Sequence, residues 1–346
     1  MNDKQNSPII IIAEAGVNHN GDIELAKKLI KKAHLAKADF VKFQTFSAEN
    51  LTTQEGVLAE YQKKEVGNYS NQFEMLKSLE LTKENHIELI RYCRELGINF
   101  LSTPFDEGSL NFLIDLGCDL IKVPSGDLTN YFMLSAIAEK GLPVILSTGM
   151  GTEKEVSEAL ECMNAKGLEV DKITLLHCTT EYPCPLADVN LRAMNTLKER
   201  FNTKVGYSDH TAGISVSIAA AALGASVIEK HFTLDKNMVG PDHKASLEPE
   251  ELLNMVKGIR DVEQCMGDGI KIPSQSELKN IKIARKSIVA KTKIKLGDYY
   301  TKENLTAKRP GDGISPMMAP ILIGSQATQD FKQNEKIISN KSLKKN

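Results

Sequence analysis

The sequence predicts a (β/α)8 barrel followed by a small, mostly β domain. Three observations point there. Short runs rich in Val, Ile, Leu or Phe recur along the chain: "PIIIIAEAG", "DFVKFQTF", "INFLSTPF", "DLIKVPSGD", "PVILSTGM", "ITLLHCTT", "KVGYSDH" and "VIEKHFTL". One marker from each (Glu14, Lys42, Thr103, Lys122, Ser147, His177, Ser208, Glu229) gives gaps of 28, 61, 19, 25, 30, 31 and 21 residues. Most of these gaps suit one strand, one helix and two short loops. Helix signals fill the gaps. The rival is a doubly wound open sheet, but eight units is the closing number of the barrel and no GxGxxG follows the first run.

The helices follow in order. Asp22 is placed to cap a segment whose apolar positions Ile23, Ala26, Leu29, Ile30 and Ala33 share one face. The long gap at 46–98 reads as an insertion after the second strand. Its polar stretch over 47–80 sits where substrate loops of a barrel lie, so it is expected to act as a lid. Thr152 and Glu155 form a capping-box pattern before "VSEALECM". Asn190 precedes the helical run "LRAMNTLKERF". "GISVSIAAAALGA" is apolar on nearly all sides and predicts a buried helix. The barrel domain is therefore drawn over 1–270. A linker at 271–285 then leads to a small domain at 286–346 with Gly/Pro turns, and "SNKSLKKN" reads as a frayed tail.

The bulk numbers exclude several classes. Of 346 residues 41% are hydrophobic, an ordinary globular balance. Lys and Arg number 43 against 45 Asp and Glu, with no Trp and no basic tract, which disfavours nucleic acid as a partner. No apolar run approaches the roughly 20 residues of a membrane span, and no signal-peptide layout is expected at the start. Cys93, Cys118, Cys162, Cys178, Cys184 and Cys265 lack CxxC spacing and read as reduced thiols of a cytoplasmic protein.

"VIEKHFTL" poses a question: why does an apolar run end in Glu229, Lys230 and His231? Strand side chains alternate between faces. Glu229 and His231 share one face, Ser208 and His210 share another, and so do Ile10, Ile12 and Glu14. Strands 7, 8 and 1 are neighbours in a closed barrel, so His210, His231 and Glu14 should converge at its mouth. Two imidazoles and a carboxylate suit a divalent transition metal; the alternative is a pair of hydrogen-bonded barrel histidines. Lys230 should face outward, under a helix or in an ion pair. Across the mouth, Lys42 and Lys122 bring in positive charge. Thr103, Ser125, Ser147, Thr180 and Ser208 add hydroxyls, which are strand-end caps or ligands. Together they suit a small phosphorylated carboxylate. A Schiff-base lysine is the other use of Lys42 or Lys122.

The blocks "IIAEAGVNHNGD", "VKFQTF", "LSTPFDEGS", "IKVPSGD", "LSTGM", "LHCTTEYPCP", "VGYSDHT", "IEKHFTLDKNMVGPDHKASLEP" and "KRPGDGISP" resemble the sialic acid synthase family, from about residue 8 to 336. The resemblance implies condensation of phosphoenolpyruvate with an N-acetylated mannosamine-type aldose. The product is a nine-carbon 2-keto sugar acid, N-acetylneuraminate or legionaminate, with pseudaminate as the alternative. It implies Mn²⁺, or a similar ion such as Mg²⁺ or Co²⁺, on His210 and His231, with Glu14 beside the reacting carbons. It matches Lys42, Thr103, Lys122, Ser125, Ser147, Thr180 and Ser208 to phosphoenolpyruvate contacts, and Gln44, Tyr182 and Asp242 to sugar contacts. Other members carry Asn at Thr180, and Cys184 and Val239 also depart from the pattern. The C-terminal piece is similar to the antifreeze-like (SAF) domain. That domain would offer Arg309 to the sugar's N-acetyl group in a partner's barrel, implying a domain-swapped homodimer. A relative acting on a sugar phosphate would need a second phosphate site, and no Arg-rich strand end supplies one.

Overall fold

The computed structural model describes residues 8–338 except 59–62 and 64–68. Residues 59–62 and 64–68 of the stretch read as a lid, and the tail 339–346, lie outside the described residues. The chain divides into two compact units after Gly267.

The first unit is the expected barrel. Its strands are β1 (Ile10–Gly16), β2 (Phe40–Thr45), β3 (Asn99–Pro104), β4 (Ile121–Val123), β5 (Val144–Ser147), β6 (Ile173–Cys178), β7 (Lys204–Asp209) and β8 (Val227–His231). They pair in parallel in the order β3-β2-β1-β8-β7-β6-β5-β4, and β3 lies alongside β4 where the circle closes. Parallel strands buried on both faces explain the nearly continuous apolar runs. Ile11, Ala13, Val41, Phe43, Val205 and Ile228 pack outward beneath the helices.

The inward faces carry the design of the site. Ile12, Leu101, Ile145, Leu176 and Val227 fill the barrel interior as one apolar plug, with Phe40 and Leu120 against it. Two residues further along the same strands stand Glu14, Thr103, Ser147, Cys178, Glu229, Lys42 and Lys122. The period of two thus puts a polar layer directly above an apolar one. At Gly206 of β7 a Cβ would lie 2.3 Å from the Val227 carbonyl oxygen and 2.6 Å from Leu176 Cδ2, so only glycine leaves the plug its room. On β1 the ladder to β2 slips between Glu14 and Gly16. This bulge follows the point where Glu14 stands opposite both Lys42 and His231.

Local signals explain the helices. Asp22 accepts from the amides of Glu24 and Leu25 and starts helix Ile23–Leu35, which buries Ala26, Leu29, Ile30 and Ala33. The Thr152/Glu155 capping box is formed. Two expectations need correction. Asn190 does not start its helix. It has φ 46° and its carbonyl accepts from the Ala193 amide, while the helix runs from Ala193 to Phe201 with Arg192 as cap. "GISVSIAAAALGA" forms a helix at Ser215–Ala222 that buries only Ser217, Ala220 and Ala221. Ala219, Ala222 and Leu223 face solvent. A barrel helix packs on one side only, and alanine's helix propensity keeps it helical on the other.

The second unit holds the helix Gln275–Ala284 and an antiparallel pair, β9 (Ser287–Ala290) with β10 (Leu305–Lys308). Single bridges join Val289 to Lys336, Ile294 to Phe331 and Tyr299 to Gln326. Its own core includes Ile288, Ile294, Tyr300, Leu322 and Phe331.

β8 answers the question of "VIEKHFTL". Glu229 and His231 point into the barrel mouth and Lys230 points out. Lys230 is fully buried, its ammonium 3.2 Å from Asp209 Oδ2 and donating to the Thr211 carbonyl. Asp209 also accepts from the Thr211 amide and hydroxyl and from Ser217 Oγ at 2.6 Å. This knot fixes β7, β8 and the following helix to one another. Lys230→Met would leave the Asp209 charge buried without its counter-ion and should lower barrel stability by about 3–5 kcal/mol. Urea unfolding of the variant beside the wild type checks this. An unmoved midpoint would show that the pair adds no net stability.

Candidate active site

The polar layer is a compact ionic lattice. Lys42 Nζ lies 2.7 Å from Glu14 Oε2, 3.1 Å from Thr103 Oγ1 and 3.8 Å from Glu229 Oε2. Lys122 Nζ lies 2.8 Å from Ser147 Oγ and 3.7 Å from Glu229 Oε1. Ser208 Oγ donates to Glu229 Oε1 at 3.2 Å, and Gln44 Nε2 to Glu14 Oε1 at 3.4 Å. All four charged residues are buried. Ser125 Oγ accepts from the Gly149 amide and sits 3.2 Å from Cys178 Sγ, whose thiol burial holds protonated.

Beside the lattice stand the two histidines. Their ring centroids are 5.6 Å apart, and Tyr182 stacks on His210 at 4.2 Å and meets His231 edge-on at 5.8 Å. His210 Nδ1 lies 2.6 Å from the Thr179 carbonyl. A carbonyl only accepts, so Nδ1 carries the proton and Nε2 presents a lone pair, 3.4 Å from Ser208 Oγ. His231 Nδ1 is buried, makes no hydrogen bond and lies 4.0 Å from Asp242 Oδ2.

Burial sets the titration of these groups and charge neighbours correct it. Burial raises Glu14 to about 7 against the pull of Lys42, and the charge of Glu229 adds to the rise. Glu229 goes the other way: burial would raise it, but Lys122 and Lys42 outweigh that and hold it low. Burial alone would depress Lys42, yet Glu14 and Glu229 keep it above its ordinary value, whereas Lys122 stays depressed by burial. Burial lowers His210 to about 4 and holds His231 well below its usual value. Asp242 is raised to about 6 by burial.

All the barrel positions singled out from the sequence line one cavity of about 260 Å³ at the strand C-terminal ends: Glu14, Lys42, Gln44, Thr103, Lys122, Ser125, Ser147, Thr180, Tyr182, Ser208, His210, His231 and Asp242. Arg309 lies in the second unit, its Nε donating to the Ala284 carbonyl. Sequence reasoning passed over three features. Glu229 is a member of the lattice, and its place beside Ser208 and Lys42 followed from the alternation already used. A clamp holds the loop that carries Asp242. Asn18 donates to the Phe232 carbonyl and to Ser246 Oγ, Asn20 donates to the Val239 carbonyl, and His243 lies 2.6 Å from Thr233 Oγ1 and 3.2 Å from Asn20 Oδ1. An apolar flank of the cavity comes from Val17, Met75, Leu76, Leu79 and Phe105.

The donor set fits a divalent cation in part. His210 and His231 are neutral at pH 7, His210 has a carbonyl fixing its tautomer, and a buried His231 nitrogen is unpartnered. Among the described residues no group of three His, Cys, Asp or Glu gathers as a metal cage. A cation here would take two imidazoles from the protein and its remaining ligands from substrate or solvent.

Fold and site together define a barrel with a buried ionic layer and two neutral imidazoles at the C-terminal ends of its strands. Comparison with known proteins narrows this. The NeuB family profile matches residues 29–271. N,N'-diacetyllegionaminic acid synthase of Campylobacter jejuni is 53% identical over 328 residues, covering 95% of this chain and 98% of that one. The Legionella pneumophila protein of the same name is 48% identical over 324 residues, covering 93% and 91%. The crystal structure of N-acetylneuraminic acid (sialic acid) synthetase from Leptospira borgpetersenii superposes with a TM-score of 0.69 at 36% identity, covering 80% of this chain and 91% of that one. The chain belongs to the NeuB family and is an enzyme of the sialic acid synthase type.

The titration of Glu14 yields a pH prediction. A catalytic role for its carboxylate requires kcat/KM to fall as the pH drops through about 7. Glu229→Gln removes a negative neighbour and should move that acid limb to lower pH. A pH profile of both proteins checks this; an unmoved limb would separate Glu14 from the titration.

Proposed function

We propose that this protein condenses phosphoenolpyruvate with 2,4-diacetamido-2,4,6-trideoxymannose to give N,N'-diacetyllegionaminate and phosphate. The observation that carries the reading is the division of the cavity. Two buried ammonium groups with hydroxyls form one layer, and two neutral imidazoles with Tyr182 and Asp242 stand beside it. The choice of sugar is supported by the two legionaminate-forming relatives.

Lys42, Lys122, Thr103, Ser125, Ser147, Thr180 and Ser208 would hold the carboxylate and phosphate of phosphoenolpyruvate. Gln44, Tyr182 and Asp242 would hold the open-chain sugar. The C2=C3 π pair of phosphoenolpyruvate bonds C3 to the sugar's aldehyde carbon, and the aldehyde oxygen takes a proton from solvent. Positive charge grows at C2, beside the carboxylates of Glu14 and Glu229, which favour it. Water adds to C2 and gives its proton to Glu14, whose raised pKa suits that task. The tetrahedral carbon then collapses to the ketone, breaking its C–O bond to phosphate. A divalent cation held by His210 and His231, Mn²⁺ with Mg²⁺ or Co²⁺ as substitutes, supplies Lewis-acid polarisation of the aldehyde. Lys42, held charged by two carboxylates, is unsuited to Schiff-base chemistry. The setting is cytoplasmic, where phosphoenolpyruvate is made and the six free thiols stay reduced. No helix among the described residues is long and apolar enough to cross a membrane.

We extend the reading to a homodimer in which the second unit is the antifreeze-like (SAF) domain and reaches the partner's barrel. Exposed apolar side chains beyond the strand ends support a covering partner: Phe132, Met150, Leu186 and Val239 are 71–83% exposed. In this arrangement Arg309 binds the sugar's N-acetyl group.

Phosphate release tests the reaction. With Mn²⁺, the diacetamido sugar should release phosphate faster than N-acetylmannosamine. EDTA should stop it, and His210→Ala or His231→Ala should abolish it with the fold intact. Release that survives EDTA in either variant would remove the metal assignment. Arg309→Ala should raise the sugar's KM about tenfold and leave that of phosphoenolpyruvate unchanged. Co-refolding Arg309→Ala with His231→Ala should restore activity at low sugar concentration, because a swapped dimer then contains one intact site. No restoration would argue for sites completed within one chain.

A further inference from the structure

We infer that the apolar flank of the cavity, formed by Leu76 with Met75, Leu79, Val17 and Phe105, selects the acceptor by seating the methyl group at its C6. The inference rests on the reading above and names the residues that choose the sugar. The cavity lining has three parts. The Lys42/Lys122 end is taken by the phosphorylated carboxylate. The histidines, Tyr182 and Asp242 face the reacting aldehyde. The sugar reacts through C1, so its far end must extend away from both, and beyond Gln44 the β1–β3 flank of the lining is apolar.

This flank is a built wall. Val17, Phe46, Met75 and Leu79 form a buried cluster of their own, with Leu58, Leu76 and Phe105 packed on it. Its central helix, Gln72–Leu79, is pinned at both ends. The Ala48 amide donates to Glu80 Oε1 at 2.6 Å, Lys77 lies 2.8 Å from Glu49, and the Gln72 amide donates to the Gly56 carbonyl. Gly21, at φ +74°, lets the loop after β1 approach so closely that a Cβ there would sit 2.5 Å from the Ser78 carbonyl oxygen.

The chemistry of the wall is selective by omission. Among the described lining residues the only Lys or Arg side chains are Lys42 and Lys122, both engaged in the ionic lattice. A phosphate at C6 would find no free cation among the described lining residues. A hydroxyl at C6 would lose its water against Leu76, Leu79 and Met75 and gain no partner, whereas a methyl group loses nothing. Met75 adds an adaptable thioether to the contact.

The test compares 2-acetamido-2,6-dideoxymannose with N-acetylmannosamine, which differ only in the C6 hydroxyl. Phosphate release is the readout. Wild-type protein should favour the 6-deoxy sugar in kcat/KM by about tenfold or more. Leu76 is half-buried, so Leu76→Gln should fold; it should bring the ratio toward one by raising the KM of the 6-deoxy sugar. The KM of phosphoenolpyruvate should stay unchanged, and Leu76→Met should retain the preference. A ratio unmoved in Leu76→Gln, or equal losses on both sugars, would overturn the wall's role and leave the reaction assignment standing. No phosphate release by wild-type protein with either of these sugars or with the diacetamido sugar would overturn the assignment and this inference with it.

Discussion

Glu14, Lys42, Glu229 and Lys122 form one buried layer in which each ammonium lies within 4 Å of a carboxylate. Taking such charges out of water costs several kcal/mol per ion, and only close geometry with further hydrogen bonds offsets that. Much of the barrel's detail follows from this requirement. The apolar plug beneath the layer leaves the charges no water from below. Gly206 leaves room for that plug, and the bulge after Glu14 follows the residue that faces Lys42 and His231. Thr103, Ser147 and Ser208 supply the hydrogen bonds that the ions still need. The strand ends are polar because the layer has to be satisfied from every side.

The balance of the layer also governs its chemistry. Two positive and two negative groups nearly cancel, so an incoming phosphorylated carboxylate meets little net attraction from them alone. Two features of the site relieve this. Glu14, raised to about 7, carries only part of a negative charge at neutral pH. The neutral imidazoles beside it leave room for a cation without adding charge of their own. A site built this way couples anion binding, cation binding and the protonation of one carboxylate. The anion favours the protonated carboxylate, and the cation favours the ionised one that the proposed chemistry needs.

Sequence made the barrel and its mouth legible because both obey short-range rules. Alternation places Glu14, Lys42, Ser208, His210, Glu229 and His231 on inward faces with no knowledge of the fold beyond closure. The clamp was invisible for the opposite reason. Asn18 and Ser246, or Asn20 and Val239, are more than two hundred positions apart and meet only because β1 closes on β8. The wall was hidden differently. Met75, Leu76 and Leu79 have helical spacing, but the surrounding stretch is polar and reads as a loop over the site. What makes them a wall is the pinning of a short helix by Glu80, Lys77 and Gly56, which no local pattern announces. The helix after β6 failed at its start because Asn190 serves a left-handed turn where it resembled a cap.

The two kinds of legibility divide the work of the enzyme. Residues on strands are held by the ladder, and they make contacts whose geometry the reaction itself demands. Residues of the insertion after β2 are held by a few side-chain ties and, in the proposed reading, meet only the part of the sugar that does not react. A change at Leu76 can therefore alter which sugar is taken without disturbing Lys42 or Glu14, because the helix bearing it adds no atom to the ionic layer. A change in the layer has no such freedom: removing Glu229 takes a carboxylate from both ammonium groups at once and leaves Lys42 only Glu14. Barrels keep chemistry on strand ends and selection on the loops beyond them. Here the physical reason is that buried charge tolerates no slack, while an apolar wall tolerates a great deal.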